Sequence, residues 1–298
     1  MERDDDLTSN NYTTLFRQYS ASIGRWKSTD PKGGSFPHLS SYSAMGNNPI
    51  KITDVHGDSI PTTFYDVSGF QTNKIPDLLQ NQFQQEYGII LGYDNGKLFK
   101  AGDYETSSTV SADAKSAWEK ELGAENGEHS MVFAYYLSLQ PLGSILDINK
   151  PAAVPIVDGA YNPVDNTAYI DLGDFNRNGS PLSSKAFGDL DVWSSRTINF
   201  ARLLEHEFLG HGVNNLPDDP SYLNPTGQTV DFVNVLRSQM GLIHRSQYTV
   251  KEANTILSSG RYDMQFKSED GKIVNYQLNL TSLKRTSTTL KVPSVRIR

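Results

Sequence analysis

The most informative part of this sequence is SSRTINFARLLEHEFLGHG, residues 194–212. Its apolar residues recur at helical spacing, at Ile198, Ala201, Leu204 and Phe208. This periodicity predicts a helix over 194–209 with one face packed on a core. Serine at the beginning is a favourable N-cap, and the glycines of the closing GHG end the helix.

Two histidines and a glutamate follow one another in HEFLGH, residues 206–211. Catalytic zinc is commonly held by neutral imidazoles, with a carboxylate beside them that takes a proton from water. His206 and His211 are five residues apart, about 140° around a regular α-helix, which would turn the rings away from each other. One wide π turn restores their convergence, and Gly210 lies inside the interval. We therefore predict a π-bulge, zinc bound by His206 and His211, and Glu207 as the general base.

The third metal ligand must come from elsewhere, because a catalytic zinc usually has three protein ligands. Asp231 is the first choice, since it opens the next predicted helix, 20 residues beyond His211. Asp218 and Asp219 compete with it, because they lie in the loop that leaves the motif directly. Glu252 is a more distant alternative.

The composition limits the classes of protein to which the chain can belong. With 27 Lys+Arg against 34 Asp+Glu the formal net charge is -7, which argues against binding along a phosphate backbone and so against a nucleic-acid partner. The 298 residues include no cysteine, which excludes thiolate zinc fingers and disulfides. No apolar run approaches the roughly 20 residues of a membrane span, and the acidic N-terminus is unlike a signal peptide.

The chain divides into two regions of different character. Residues 1–58 are polar and turn-rich, which predicts short strands and turns. Residues 59–298 are expected to form one domain of helices and mainly antiparallel hairpins in separate blocks, which indicates an α+β fold. Helices are predicted over LLQNQFQQEY, SADAKSAWEKELG (with Ser111 as N-cap) and TVDFVNVLRSQMGL. Strand pairs are predicted in 88–100 around Asp94-Asn95-Gly96, in 151–174, and in 261–280 around Glu269-Asp270-Gly271.

Residues 15–58 resemble the end of an Rhs-repeat core, whose typical run is RxYDPxxGRWxSxDP followed by NNPIxxxDPDG. The matching residues are Tyr19, Gly24, Arg25, Trp26, Ser28, Asp30, Pro31, Pro37, Tyr42, Asn47, Asn48, Pro49, Ile50, Asp54 and Gly57. In Rhs proteins the core is a β-shell that encloses a variable C-terminal toxin. The resemblance implies that 1–58 is the remnant of such a core and that 59–298 is the toxin. It further implies that the protein is secreted or delivered into a target cell as part of a larger Rhs protein, with a cognate immunity protein as a partner.

The motif HEFLGHG is similar to HELLGHG of the dipeptidyl-peptidase III family of zinc peptidases. Over these seven residues the resemblance implies that His206 and His211 bind zinc and that Glu207 is the general base. The EExxA motif that supplies that family's third ligand has no counterpart here. Residues 230–248 also resemble a helix of Rhs-linked metallopeptidase toxins, ENxxRxxxGLxxRxxY. The matching residues are Asn234, Arg237, Gly241, Leu242, Arg245 and Tyr248.

These observations favour a zincin-like metallopeptidase that hydrolyses a protein or peptide substrate, with the active-site helix packed on the sheet. The strand TAYIDLGD is expected to line the cleft and pair with the substrate. Tyr248, Arg245 and His244 are candidates for stabilising the oxyanion. Two other classes remain open. One is a binding or delivery module whose histidine pair is structural, and the other is a toxin of different chemistry, such as a nuclease.

Overall fold

The computed structural model describes most of the chain after residue 58 and four short stretches before it. The described residues are 2–3, 11–13, 18–20, 25–28, 59–124, 127–141, 154–155, 158–182, 184–221, 223–247, 261–279 and 288–292. The chain divides into two compact units, residues 1–57 and 58–298. The first contains a four-stranded antiparallel sheet in chain order. Its strands are β1 (Glu2–Arg3), β2 (Asn11–Thr13), β3 (Gln18–Ser20) and β4 (Arg25–Trp26).

The second unit combines strands with a few helices. Its strands are β5 (Ile60–Tyr65), β6 (Gln71–Thr72), β7 (Ile89–Asp94), β8 (Lys97–Asp103), β9 (Ser130–Ala134), β10 (Leu137–Pro141), β11 (Val154–Pro155), β12 (Gly159–Asn162), β13 (Thr167–Asp171), β14 (Ser184–Gly188), β15 (His244–Gln247), β16 (Arg261–Lys267), β17 (Ile273–Asn279) and β18 (Thr288–Val292). The helices are α1 (Asp77–Tyr87), α2 (Ala112–Leu122), α3 (Phe200–Leu204) and α4 (Gln228–Gln239), with 3-10 turns at Leu172–Asp174 and Leu190–Val192.

The largest sheet has seven strands. Its order is β12-β13-β9-β5-β8-β7, with β6 beside β5. The central strands β13, β9 and β5 run parallel to one another, and the remaining pairs are antiparallel. A second, wholly antiparallel sheet has the order β14-β17-β16-β15. A third sheet joins β11, β10 and β18, with β10 and β18 parallel. The predicted α+β class with mainly antiparallel pairing is confirmed.

The helix that carries HEFLGH is regular only at its beginning. Asn199 caps it, because its side chain accepts a hydrogen bond from the Arg202 backbone N–H. After α3 the chain continues without a break as a π-helix, Glu205–Val213, here called the π segment. The predicted wide turn is confirmed and extends over nine residues. The predicted start at Ser194 is wrong, since residues 194–197 form a turn closed by Thr197 N–H on Ser194 O.

Other local predictions are confirmed by their hydrogen bonds. Ser111 caps α2, its hydroxyl oxygen accepting from the Ala114 N–H. The β7–β8 hairpin turns through Asn95 and Gly96, both at positive φ, 49° and 79°. Such angles are what a two-residue hairpin turn requires. The predicted hairpin near the C-terminus is β16–β17, and the predicted pair in 151–174 is β12–β13.

The main core fills the space between the seven-stranded sheet and the helices. Its largest fully buried side chains come from both layers, among them Phe64, Phe83, Tyr87, Phe133, Phe200, Phe208 and Trp118. A smaller core lies on the antiparallel sheet β14–β17 and includes Phe266 and Tyr276. The π segment contacts β12, β13 and α4. Its two flanks therefore rest on the sheet and on α4.

Candidate metal centre

The inner face of the π segment is fixed by aromatic packing. Phe208 is fully buried and stacks on Trp118 of α2, with ring centroids 5.2 Å apart and ring planes 8° from parallel. Leu209 is also fully buried. Burying a phenylalanine side chain contributes about 1.5–3 kcal/mol. This packing anchors the π segment to α2.

A buried ionic network holds the beginning of the same helix. Arg202 pairs with Glu205 at 2.7 Å and with Glu86 of α1 at 3.3 Å. The Tyr87 hydroxyl donates to Glu205 at 3.2 Å, and Arg196 binds Glu86 through two nitrogens. Removing one partner of such a network leaves an uncompensated buried charge, which costs about 3–5 kcal/mol. The orientation of the helix is therefore set by groups outside the metal centre.

Gly210 allows α4 to pack closely against the π segment. A Cβ atom at this position would lie 2.6 Å from Thr229 Cγ2, well inside van der Waals contact. The Thr229 hydroxyl donates to the carbonyl oxygens of Pro217 at 3.0 Å and Leu216 at 3.1 Å. Thr229 therefore joins α4 both to the π segment and to the loop that follows it.

The chain reverses immediately after the π segment, in residues 214–219, here called the return loop. The Asn214 N–H donates to Leu209 O, Asn215 lies at φ 49°, and the Leu216 N–H donates to Gly210 O at 3.0 Å. Asparagine adopts this left-handed conformation more readily than other non-glycine residues. The reversal brings Asp218 back over the histidines.

His206, His211 and Asp218 converge on one point. Asp218 Oδ2 lies 3.2 Å from His211 Nε2 and 3.5 Å from His206 Nε2. The two imidazole rings are perpendicular, with centroids 4.8 Å apart. Ligand atoms around a tetrahedral zinc with bonds of 2.0–2.1 Å are about 3.3 Å from each other. The donor set and its spacing therefore fit a divalent metal, with further coordination positions left for water or substrate.

The second nitrogen of His211 is hydrogen-bonded in the way that metal-binding histidines require. Nδ1–H donates to Leu216 O at 2.7 Å, which leaves Nε2 to face Asp218. Such partners fix the tautomer and the ring orientation of a ligating histidine. The three side chains are largely buried, with 15%, 17% and 11% of their surface exposed for His206, His211 and Asp218.

The electrostatics of the group favour a bound cation. Burial alone would lower the pKa of His211, but the Asp218 carboxylate, with Glu207 nearby, raises the pKa to about 9. For Asp218, burial acts to raise the pKa, and the hydrogen bonds and charges of both histidines overcome it and hold the pKa well below its usual value. A proton on His211 occupies the place that a metal ion can take.

The other predicted carboxylate ligands lie elsewhere. Asp231, the first choice from the sequence, accepts hydrogen bonds from the Thr226 hydroxyl and from Asn224 Nδ2 in the turn before α4. Asp219 accepts from the backbone and side chain of Gln228. Glu252 lies outside the described residues. The structure therefore brings Asp218, an alternative in the sequence analysis, to His206 and His211, and it does not bring Asp231 there.

A cavity of about 280 Å³ adjoins the metal centre and is lined by both His206 and Glu207. Its apolar wall includes Phe175, Leu203 of α3, Val233 of α4, and Met264 and Leu278 of the antiparallel sheet. Its other charged groups are Asp158, Arg202, Arg237 and Arg245. An apolar cavity with a few convergent polar groups is typical of a ligand site.

Of the three residues predicted to stabilise an oxyanion, Arg245 lines this cavity. His244 lies with Asp231 in a second cavity of about 850 Å³ and bonds to Ser238 through Nε2 at 2.6 Å. Tyr248 lies outside the described residues. The strand TAYIDLGD, β13, pairs with β12 on one side and β9 on the other, so it cannot receive a substrate strand. Among the strands that the structure describes, β12 is the outermost one on this side of the sheet.

Three aspartates, here called the acidic cluster, lie close together beside β12 and β13: Asp171 and Asp174 are buried, and the half-buried Asp158 lines the cavity. The Asp158 N–H donates to Asp174 Oδ2 at 2.7 Å, and the Asp171 N–H donates to Asp158 O at 2.8 Å. Burial is the main cause that raises their pKa values, to about 7 for Asp158, 6 for Asp171 and 8 for Asp174. Asp158 also has a positive φ of 61°. The sequence analysis missed this cluster, because neither helical periodicity nor metal-ligand spacing involves it.

In comparisons with known proteins, no family model, no curated protein and no solved structure matches the chain. Among the described residues, no helix has the length and apolar character needed to cross a membrane. The function is therefore inferred from the geometry of the site and from the sequence motifs.

Proposed function

We propose that the second unit is a zincin-like, zinc-dependent peptidase in which His206, His211 and Asp218 bind the metal. The observation that carries the proposal is the convergence of these three side chains on one point, beside a cavity that Glu207 lines. Two imidazoles and a carboxylate form a ligand set of hydrolytic zinc. The HEFLGHG motif, with its similarity to a family of zinc peptidases, supports the same activity.

Each residue of the site has a separate role in the proposed reaction. Zinc in such a site supplies a Lewis acid for the scissile carbonyl and lowers the pKa of water. Glu207 accepts a proton from the attacking water and afterwards donates it to the leaving amine. The outer edge of β12 provides backbone groups for an extended substrate, because peptides commonly add as a strand to a sheet edge. Gly159 of β12 and Glu207 line the same cavity, so a peptide on this edge passes the general base.

We further propose that the chain belongs to an Rhs protein, with residues 1–58 as the end of the core and 59–298 as its toxin. The support is the agreement of residues 15–58 with the Rhs core pattern. On this proposal the peptidase is delivered into a target cell and is neutralised in its own cell by an immunity protein.

Zinc analysis of the purified protein tests the metal centre. We expect one zinc per chain after dialysis against micromolar zinc. We expect Asp218→Asn to weaken zinc binding more than about 100-fold, since replacing even a residue that only orients a ligand lowers metal affinity by 10–100-fold. Asp231→Asn is the matched control and should bind zinc like the unaltered protein. Zinc that stays substoichiometric in the unaltered protein would show that the three side chains form only an ion pair and would overturn the proposal.

The substitution Glu207→Gln tests the chemistry separately from metal binding. Glutamine keeps the shape of the side chain but cannot accept the proton. We expect zinc to remain bound while hydrolysis of an unfolded protein, such as casein, is lost. Hydrolysis by Glu207→Gln at the rate of the unaltered protein would refute the role of Glu207, and the absence of hydrolysis by the zinc-loaded unaltered protein would refute the peptidase activity.

A further inference from the structure

The cavity beside Glu207 is lined by residues of both hydrophobic cores of the second unit. Phe175 belongs to the main core, and Leu203 packs against that core. Met264 and Leu278 belong to the smaller core on the antiparallel sheet. Well-packed protein interiors contain few voids larger than a water molecule, whereas this cavity measures about 280 Å³. The two cores therefore border a space that neither of them fills.

Two valines of α4 add to the apolar lining. Val230 and Val233 both line the cavity, and only 1% and 2% of their surfaces are exposed. Because they are three residues apart, they lie on the same face of the helix. Val235, two residues further along, is 55% exposed and lies outside the cavity. The helix therefore presents one valine-bearing face to the cavity and another face to solvent.

Two of the arginines that line the cavity are bound to partners on the metal-binding helix, in the turn before it and on α1. Arg202 pairs with Glu86 and Glu205. Arg237 donates to Thr197 O through Nε and Nη2, and the negative charge of Glu205 also favours its charged form. Buried polar groups are stable only when they are paired in this way. Both guanidinium groups are therefore held by the protein itself.

The other charged groups at the cavity also have a place in the protein. Arg245 donates to the Tyr262 hydroxyl, and its guanidinium lies 5.7 Å from the centroid of the Tyr262 ring. Of the two carboxylates that line the cavity, Glu207 is the proposed general base and Asp158 belongs to the acidic cluster. The apolar side chains are therefore the main groups left to contact a ligand.

The size and the location of the cavity suit a side chain of a bound peptide. Dry apolar cavities of about 150 Å³ can bind benzene, and this cavity of about 280 Å³ has room for an aromatic ring. Its wall includes His206, a proposed zinc ligand, and Glu207. Gly159 of β12 lines it as well, so a peptide along the outer edge of β12 can extend a side chain into it.

We propose that this cavity binds a large apolar side chain of the substrate, best of all an aromatic ring, next to the bond that is cleaved. The inference rests on the proposed peptidase function and specifies its substrate class. Hydrophobic burial supplies the affinity, because the ring and the cavity wall both lose contact with water. An uncharged ring also leaves the arginine contacts around the cavity in place.

Peptide binding to the zinc-free protein tests the inference without relying on hydrolysis. The probes are four N-acetylated and amidated tripeptides, Ala-Xaa-Ala, in which the central residue is phenylalanine, alanine, glutamate or lysine. We expect the phenylalanine peptide to have a Kd about 10–100-fold lower than that of the alanine peptide in calorimetry. This range corresponds to full burial of such a side chain.

Substitutions that fill the cavity assign the preference to it. We expect Val233→Phe on α4 and Met264→Trp on β16 each to reduce the phenylalanine preference to below about threefold, with folding checked by circular dichroism. Val235→Phe is the matched control, because it makes the same change on the same helix at an exposed position outside the cavity. This variant should retain the preference. If neither cavity variant folds, the four peptides with the unaltered protein still decide the question.

The bonds cleaved in casein test the location of the cavity. Mass spectrometry of the fragments that the zinc-loaded protein produces should show a large apolar residue beside most of the cleaved bonds. Cleaved bonds without such enrichment would overturn the placement of the cavity next to the scissile bond.

The outcomes separate this inference from the proposed function. Equal binding of the phenylalanine and alanine peptides overturns the apolar site, even if the zinc-loaded protein hydrolyses casein. Tightest binding of the glutamate or the lysine peptide also overturns it, because the cavity then recognises a charge. A phenylalanine preference that Val233→Phe removes and Val235→Phe retains supports the site, even if no zinc is found and the peptidase proposal fails.

Discussion

Replacing Gly210 by alanine should destabilise the protein, although alanine is the better helix former. At a helix position with free space around it, replacing glycine by alanine stabilises the protein by about 0.5–1 kcal/mol. Here the added methyl group would lie 2.6 Å from Thr229 Cγ2 and 3.3 Å from Glu205 O, and overpacking of a tight site costs about 1–3 kcal/mol. We therefore expect a net loss of about 1–2 kcal/mol in the free energy of unfolding. Zinc binding should also weaken, because His211 follows directly in the displaced turn.

A second substitution identifies the contact that is responsible. Thr229→Ser removes Cγ2 but keeps the hydroxyl that bonds to Leu216 O and Pro217 O, and alone it should cost about 0.8 kcal/mol for one buried carbon. In the double variant the added methyl group occupies the vacated space. Urea unfolding of the four zinc-free proteins should then give a favourable coupling energy of at least about 1 kcal/mol. Additive effects, or an alanine variant as stable as the unaltered protein, would refute the reasoning.

Three further predictions concern the groups that support the site. Asp174→Asn should remove part of the pH dependence of stability. Because the pKa of Asp174 in the folded protein is raised to about 8, the protonated carboxyl group stabilises the fold at low pH. This contribution is lost as the pH rises through 8. The melting temperature should fall less between pH 5 and 9 in Asp174→Asn than in the unaltered protein, and equal slopes would contradict a buried neutral carboxyl. Phe208→Ala should cost about 3–5 kcal/mol in urea unfolding, because it removes the ring stacked on Trp118, whereas a loss below about 1 kcal/mol would place that ring outside the core. Ser111→Ala should cost about 1 kcal/mol, because the Ala114 N–H loses its acceptor, and an unchanged urea midpoint would argue against the cap.

Local features of the fold can be predicted from the sequence because their causes are adjacent in the chain. Ser111 caps α2 with its own hydroxyl, and Asn95 and Gly96 supply the backbone angles of their turn. The spacing of His206 and His211 required a wide turn because two imidazoles can converge only if the helix is unwound there. These predictions need only bond geometry and nearest neighbours.

Features that depend on distant partners were not predictable. The helix begins at Asn199 rather than Ser194, and Arg196, in the turn before it, is bound to Glu86, 110 residues away. Asp231 looked suitable as a ligand because it opens α4, but Thr226 and Asn224 bind it locally. Asp218, which the sequence offered as an alternative because its loop leaves the motif directly, reaches the histidines because the return loop folds back, with Asn215 at φ 49°.

The residues that anchor the metal-binding helix are different from those that would bind zinc and catalyse hydrolysis. Phe208, Trp118 and the Arg202 network hold the helix in place, and none of these groups takes part in the proposed chemistry. The polar face can therefore be altered while the scaffold stays intact, as in the Glu207→Gln variant. A folded but inactive protein of this kind is a bait that can retain an uncleaved substrate, so the natural target can be captured and identified directly.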